Sequence, residues 1–396
     1  MPLFLMPFDS VPSLLGINSE FSQVFPAVLI FSVIYVFRGV LKPRGNPKLI
    51  SHELVIIFSI LAYLLLVTLV NFFFQNQKFV TDAIFFKQLF SLLGGLLIYL
   101  SFRTTVITPA RLSTCVKWLL IVLTPVVIYQ VFLQPSDYVR AKGFSTEPSH
   151  FGNFLVFFAL PAIFLSNERG PRFFASLFLC NLFILSTVSL TAVLSAGIFY
   201  LGWFLANRAL SLRRLLVISA SLFIILGSIF LSGINFEYLF SNASAFSSEE
   251  AFVSALSVSG SLVDRLYSFW GPAYGILSGA VIFGAGVGGD FALLPKLITP
   301  EQYEIIASVR SGAVGVSSFF GKVMTWGGIP LTGATVIIFS KLFWKAGPAL
   351  RACVVPVFVS SFFSMGALVV PYIWFWVAFL VQSNQRRSFL AGNVWA

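Results

Sequence analysis

The stretch 173-FFASLFLCNLFILSTVSLTAVLSAGIFYLGWFLA-206 decides how this chain is built. It carries no charge and is long enough for either one strongly tilted helix or two closely paired ones, since one crossing of a bilayer takes about 20 apolar residues. Charge separates the two readings. Arg169 and Arg172 precede the stretch and Arg208, Arg213 and Arg214 follow it. Clusters of Lys and Arg favour the cytoplasmic side, so the chain must leave and come back, and that takes two helices. The run 350-384 yields to the same argument, with Lys341, Lys345 and Arg351 at its start and Arg386 and Arg387 after it.

Working outward, apolar runs lie near 22-40, 53-73, 83-102, 116-134, 150-166, 173-188, 190-206, 215-232, 316-340, 350-366 and 368-384. Arg38, Lys42, Arg44 and Lys48 fall in one inside loop and Arg103, Arg111 and Lys117 in another, so every second loop is basic. The acids Asp82, Asp137, Glu147, Glu237, Glu249, Glu250, Asp264, Asp290, Glu301 and Glu304 fall in the other loops. The expectation is an all-α, polytopic membrane protein with about eleven crossings, its N-terminus outside and its C-terminus inside.

Composition agrees. Of 396 residues 58% are hydrophobic and 10% charged, whereas about a quarter of a soluble globular sequence is charged. The chain therefore reads as one membrane domain, 1-396, with no length left for a soluble one. The net charge of +11 is dispersed between apolar runs rather than gathered in a patch or tail, which argues for topology and against nucleic acid as a partner. Cys115, Cys180 and Cys353 stand singly, without metal or disulfide spacing. No basic segment precedes the first apolar stretch, so the first crossing is expected to do the targeting.

Two outside loops exceed the usual helix connections, at 135-149 and at 233-315. The second contains 271-GPAYGILSGAVIFGAGVGGDF-291. Its glycines each weaken a helix by about 1 kcal/mol, and a twelfth crossing there would reverse the charge pattern that follows, so an interfacial or re-entrant piece is expected.

Chemistry-bearing residues concentrate in these loops. In 140-RAKGFSTEPSHFGNF-154, Arg140, Lys142, Glu147 and His150 crowd the start of an apolar helix, which is either a membrane-face site or an ordinary helix start with interfacial charges. A second group comprises Asp264, Arg265, Tyr267, Arg310 and Lys322. Lys322 sits in an apolar helix and must face protein, water or the interface. Arginines in such a place suit a phosphate, which the guanidinium fork holds bidentately; the alternative is loop charges paired with Asp264, Glu301 or Glu304. Lys87 is expected to snorkel, and His52 to mark a helix boundary. The chain has no GxxxxGK[ST], HExxH, GxSxG or DxD pattern. A metal or organic cofactor is not expected.

The string RAKGFSTEPSHFG (140-152), the stretch FGAGVGG (283-289) and the helix entry WGGIPLTG (326-333) resemble segments of the bacterial Wzy-type O-antigen and exopolysaccharide polymerases, which are grouped with the O-antigen ligases. The resemblance implies a GT-C-like helical fold with a large periplasmic loop in the bacterial inner membrane. It implies metal-independent transfer of a growing glycan from undecaprenyl diphosphate to the next lipid-linked repeat unit, with membrane lipid and a chain-length-determining co-polymerase as partners. On this resemblance Arg140, Arg310, Glu147 and His150 are the catalytic candidates, and Lys142, Arg265, Tyr267 and Lys322 bind the diphosphate or glycan. The ligase-like relatives often carry a His, and an acid before the glycine pair, where this chain has Ser317, Ser318, Thr325 and Trp326. That favours polymerase over ligase and leaves the general base open between Glu147 and His150.

Overall fold

A computed structural model describes residues 30, 32-34, 36-37, 47-74, 82-105, 108-133, 141-145, 148-166, 170-187, 189-206, 260-291, 315-363, 365 and 371-392. Its elements are α1 (Pro47–Phe74), α2 (Asp82–Thr104), α3 (Pro109–Ile128, continued by a π-helical turn Tyr129–Leu133), α4, α5 (Pro171–Ser186), α6 (Leu190–Ala206), α7 (Gly260–Leu277), α8 (Phe319–Lys345), α9 (Pro348–Phe363) and α10 (Pro371–Gly392). Helix α4 is built from Pro148–Phe154, a π-helical turn Leu155–Ala159, and Leu160–Leu165. By length and composition, 51-73, 85-103, 109-133 and 319-345 are each long and apolar enough to cross a membrane, whereas α4, α5, α6 and α9 are shorter apolar helices. Both tightly spaced runs are two helices each, α5 with α6 and α9 with α10. The expected runs 22-40 and 215-232 lie largely outside the described residues.

Helix α4 forms the centre. Phe151 and Phe154 to Ile163 are buried on every side, as expected of a helix that is apolar all round. Pro161 lacks an N–H, so the carbonyl of Phe157 four residues earlier loses its helical donor. In an apolar interior an unpaired carbonyl costs about 1-3 kcal/mol. The indole Nε1 of Trp376, from α10, donates to it at 2.8 Å.

The same logic recurs twice. Pro272 in α7 frees the carbonyl of Ser268, which accepts from the Ser318 hydroxyl at 2.8 Å. Pro330 in α8 frees the carbonyl of Trp326, which accepts from the backbone N–H of Gly286 at 3.0 Å.

That last bond belongs to a fold-back of the chain. Helix α7 packs alongside the first half of α8 and ends at Leu277. The chain turns over 278-283 and returns in irregular conformation to Asp290. At the turn, α8 is broken. Gly328 has φ 57° and ψ −151°, and the N–H of Ile329 donates to Ile282 at 2.9 Å while Ala285 donates to Thr325 at 2.7 Å. Ile329 lies about 15 Å along α8 from Phe319, half the thickness of a hydrocarbon core. The glycine-rich stretch thus folds back at the level of the middle of α8 instead of continuing as a helix.

Irregular backbone at such a depth is tolerated where protein satisfies it. Helix α1 does this with Tyr63, Thr68 and Asn71, which share one face by helical spacing. The Tyr63 hydroxyl bridges the carbonyls of Phe283 (2.9 Å) and Gly327 (3.1 Å). The Asn71 amide donates to Gly284 (3.1 Å), and the Thr68 hydroxyl accepts from the N–H of Val287 (2.9 Å).

The helix ends sort into two groups. At one end, Arg103 of α2 pairs with Glu53 of α1 (2.7 Å) and also reaches Gln385 of α10 (2.7 Å). Gln382 donates to carbonyls at the end of α2, Asn384 to Leu342 near the end of α8, and Arg351 to the last carbonyls of α8. The start of α8, the Asp290 end of the fold-back and the loop 141-145 lie at the other end.

Candidate functional site

The site is assembled where α8 begins. Ser318 is the N-cap of α8, with extended φ and ψ, and its hydroxyl accepts from the N–H of Gly321 at 2.9 Å. This is the standard capping role of serine. The Ser268 hydroxyl lies 2.6 Å from that of Ser317 and accepts from the Ser317 N–H at 2.8 Å. The backbones of α7 and α8 therefore nearly touch, and a methyl on Gly321 would fall 1.9 Å from the Ser268 carbonyl oxygen.

One helical turn into α8, Lys322 is 5% exposed and its amine donates to Oε1 of Gln88, on α2, at 2.7 Å. The amine also lies 5.4 Å from the centre of the Trp326 ring. Of the three environments open to Lys322, the structure selects protein. Asp290, on the returning limb of the fold-back, is fully buried. Its Oδ2 accepts from the N–H of Val316 (2.9 Å) and its Oδ1 from Trp326 Nε1 (2.6 Å).

One turn before Ser268, Arg265 donates to the hydroxyl of Thr191 at the start of α6. Tyr267 is half-buried on the same helix. Helix α6, near whose start Thr191 lies, also packs against the first turns of α4. There Gly152, in the first turns of α4, lies against Thr187, Ser189 and Ala192, and His150 stands exposed just before it.

The loop itself is fixed by one side chain. Gln130, in the π-helical turn that ends α3, donates to the carbonyl of Gly143 (2.7 Å) and accepts from the N–H groups of Lys142 (3.0 Å) and Gly143 (2.9 Å). Ala141 is tied to the end of α5 through the Ser186 carbonyl (2.8 Å). Lys142 is consequently exposed on an anchored turn. Two π-helical turns bracket this loop, and such turns are rare and concentrate at functional sites. Replacing Gln130 with Ala is expected to free the loop and raise tryptic cleavage after Lys142 several-fold in intact membranes, with the rest of the digestion pattern kept. Unchanged cleavage at Lys142 would show that the amide does not hold the loop.

Of the expected site residues, Lys142, His150, Arg265, Tyr267 and Lys322 lie toward one end of the molecule on separate elements, with Arg265 bonded to Thr191 at the start of α6. Arg140, Glu147 and Arg310 lie outside the described residues. Asp290, Gln88, Gln130 and Trp326 are additions the sequence reading did not single out as site residues. The legible sign of Asp290 was an acid closing a glycine-rich apolar run; Gln88 and Gln130 were polar residues inside apolar ones. Among the described residues no three of His, Cys, Asp and Glu come together as metal ligands would.

Chemically the arrangement offers fixed cations, hydroxyls and an exposed imidazole at one end of a helix bundle. Preorganised cations of this kind stabilise developing negative charge without reorganisation. No family model matches the chain, and no curated protein and no solved structure matches it.

Proposed function

We propose that this chain is a metal-independent glycosyltransferase of the bacterial inner membrane that polymerises lipid-diphosphate-linked oligosaccharide repeat units at its periplasmic face. What supports the reading is the placement of Lys142, His150, Arg265 and Lys322 toward one end of the bundle, where the Gln130 turn fixes the Lys142 loop and Gln88 holds the Lys322 amine. In this reading that end is periplasmic, the Arg103–Glu53 end is cytoplasmic, the N-terminus is outside and the C-terminus inside.

The acceptor hydroxyl oxygen attacks the anomeric carbon of the growing glycan, and the bond from that carbon to the diphosphate oxygen breaks. The lipid diphosphate leaves with the bonding pair, stabilised by arginine and lysine. The hydroxyl proton passes to Glu147 or His150, a contribution of about 10²- to 10⁴-fold. In-line attack inverts the anomeric centre, so retained configuration in the product linkage would overturn this mechanism. Lys322, being buried, acts as a fixed charge beneath the surface rather than as an open contact.

The test is glycan display in a strain lacking the gene, complemented with wild type, Arg140→Ala, Glu147→Ala or Arg310→Ala at matched membrane levels. The expected result is a single repeat unit on the lipid core without the gene, and a ladder restored by wild type alone. Bare core with accumulating lipid-linked polymer would instead identify an O-antigen ligase, and an unchanged ladder would remove the reading.

A second reading has one observation in its favour. Broken helices and re-entrant backbone at mid-depth are common in secondary transporters and flippases, and α8 with the fold-back has that form. Against it, Asp290 and Lys322 lie towards one end, and the mid-depth groups Tyr63, Thr68 and Asn71 are engaged with backbone. Protein-dependent translocation of lipid-linked glycan in vesicles, without elongation, would favour the transporter.

A further inference from the structure

The tip of the fold-back has no place in lipid. Ser278 lies ten residues beyond Ser268, about 15 Å deeper along the axis of α7, which is the depth at which Ile329 meets Ile282. Ser278, Gly279 and Ala280 are exposed there. The carbonyls of these three residues, and the N–H groups of Ala280, Ile282 and Phe283, find no hydrogen-bond partner among the described residues. Irregular backbone open to hydrocarbon is not tolerated, so something other than lipid must meet the tip.

The neighbouring side chains narrow what that is. Leu277 is 85% and Phe283 70% exposed, and Ile282 and Ile329 are exposed beside them. Water alone would pair the backbone groups but leave these four apolar side chains wet. A surface that is apolar and also offers both donors and acceptors answers both demands. The tip itself is such a surface.

We propose that the tip of the fold-back is the contact through which two copies of this chain associate within the membrane. Two-fold association brings the same patch of both copies together, so the patch has to complement itself. Copies inserted in one orientation carry the tip at one depth, so tip meets tip, and the unpaired N–H groups of each copy face the unpaired carbonyls of the other. Ser278, Gly279 and Ala280 are small, as close approach of backbones inside a membrane requires. Space is open at the tip: a methyl on Gly279 meets only the end of the Ile282 side chain within 4 Å, at 3.8 Å. Leu277, Ile282, Phe283 and Ile329 then close around the shared hydrogen bonds. The contact is independent of the glycan-transfer reading above, and its test does not use glycan display.

The experiment places single cysteines in the full chain, with the half-buried Cys115 replaced by Ser; Cys180 and Cys353 are buried. Ser278→Cys and Ala280→Cys are treated in intact membranes with a short, membrane-permeant bismaleimide. Leu66→Cys serves as the control, since Leu66 is 59% exposed on α1 within one turn of Tyr63. Both tip variants are expected to give covalent dimer several-fold above the control. Tip cysteines that give no more dimer than the control overturn the proposal. In that event labelling by a charged, impermeant maleimide would identify a water-filled crevice, and protection from it would identify cover by another part of the same chain.

A second measurement needs no cysteine. In mild detergent the wild type is expected to have twice the protein mass of Ala280→Trp, because a bulky ring at this exposed position separates the tips without entering the bundle. Equal masses, whether of one chain or of two, would overturn the assignment of the contact to the tip.

Discussion

Replacing Gly328 with Ala is expected to cost more than about 4 kcal/mol, the exceptional range for a single substitution. Two effects act together. The backbone of Gly328, at φ 57° and ψ −151°, lies in a region that is essentially restricted to glycine, and entering it costs another residue about 1-3 kcal/mol. An added methyl would also lie 2.2 Å from the carbonyl oxygen of Ile282 and 2.5 Å from the nitrogen of Gly284. Both obstacles are backbone, so no side-chain rotation relieves them. The fold-back would have to move away from α8, breaking the bonds from Ile329 and Ala285 and leaving polar groups unpaired at mid-depth. A control is available on the same helix: a methyl on Gly333 meets nothing within 4 Å, so Gly333→Ala is expected to be neutral or to stabilise by up to about 1 kcal/mol. Comparing the thermal midpoints of the two variants in detergent checks this, and equal behaviour would mean that the break at Gly328 is not needed.

Replacing Arg103 with Ala is expected to cost about 3 kcal/mol, from the opposite end of the bundle. Its guanidinium makes a bidentate contact with Glu53, and the paired side chains are only 9% and 16% exposed. Tyr99 donates to the same carboxylate at 2.9 Å. Removing the cation leaves a largely buried carboxylate facing one phenol, and the link from α2 to Gln385 is lost with it. The decisive comparison is the double variant Arg103→Ala, Glu53→Gln, which is expected to regain most of the lost midpoint because no stranded charge remains. If the double variant is as unstable as Arg103→Ala alone, packing of the arginine stem rather than charge pairing is the cause.

Helix existence was readable because hydropathy and charge report on the solvent outside the bundle. The two tight runs were resolved into pairs by the arginines and lysines that flank them. The glycines of 271-291 likewise announced that a plain helix would be poor there. What could not be read was the destination of that stretch, because its partners are Tyr63, Thr68 and Asn71, which look like tolerable polar residues in a crossing of otherwise high hydropathy. Nor was it evident that Pro161, Pro272 and Pro330 each release a carbonyl that a distant donor then takes. A proline announces a vacancy, but the occupant is fixed only by packing. In the candidate site, the cations Lys142, Arg265 and Lys322 were visible as charges in unusual surroundings. Asp290 was sorted with the outside-loop acids, since sequence cannot distinguish a carboxylate in water from one buried against an indole.

The fold-back also constrains how the protein can be made. Its bonds to α1 join residues 213 to 220 positions apart, and those to α8 involve residues that leave the ribosome after the glycine-rich stretch itself. While residues 278-290 emerge, Thr325 and Trp326 do not yet exist as partners, and lipid cannot serve in their place. The stretch must therefore wait in water or at the membrane surface until α8 has been synthesised, then enter beside it. Assembly of this region is thus a late step in biogenesis, and a chain cut short before α8 is expected to expose the glycine-rich segment to protease even though α1 to α6 are already inserted.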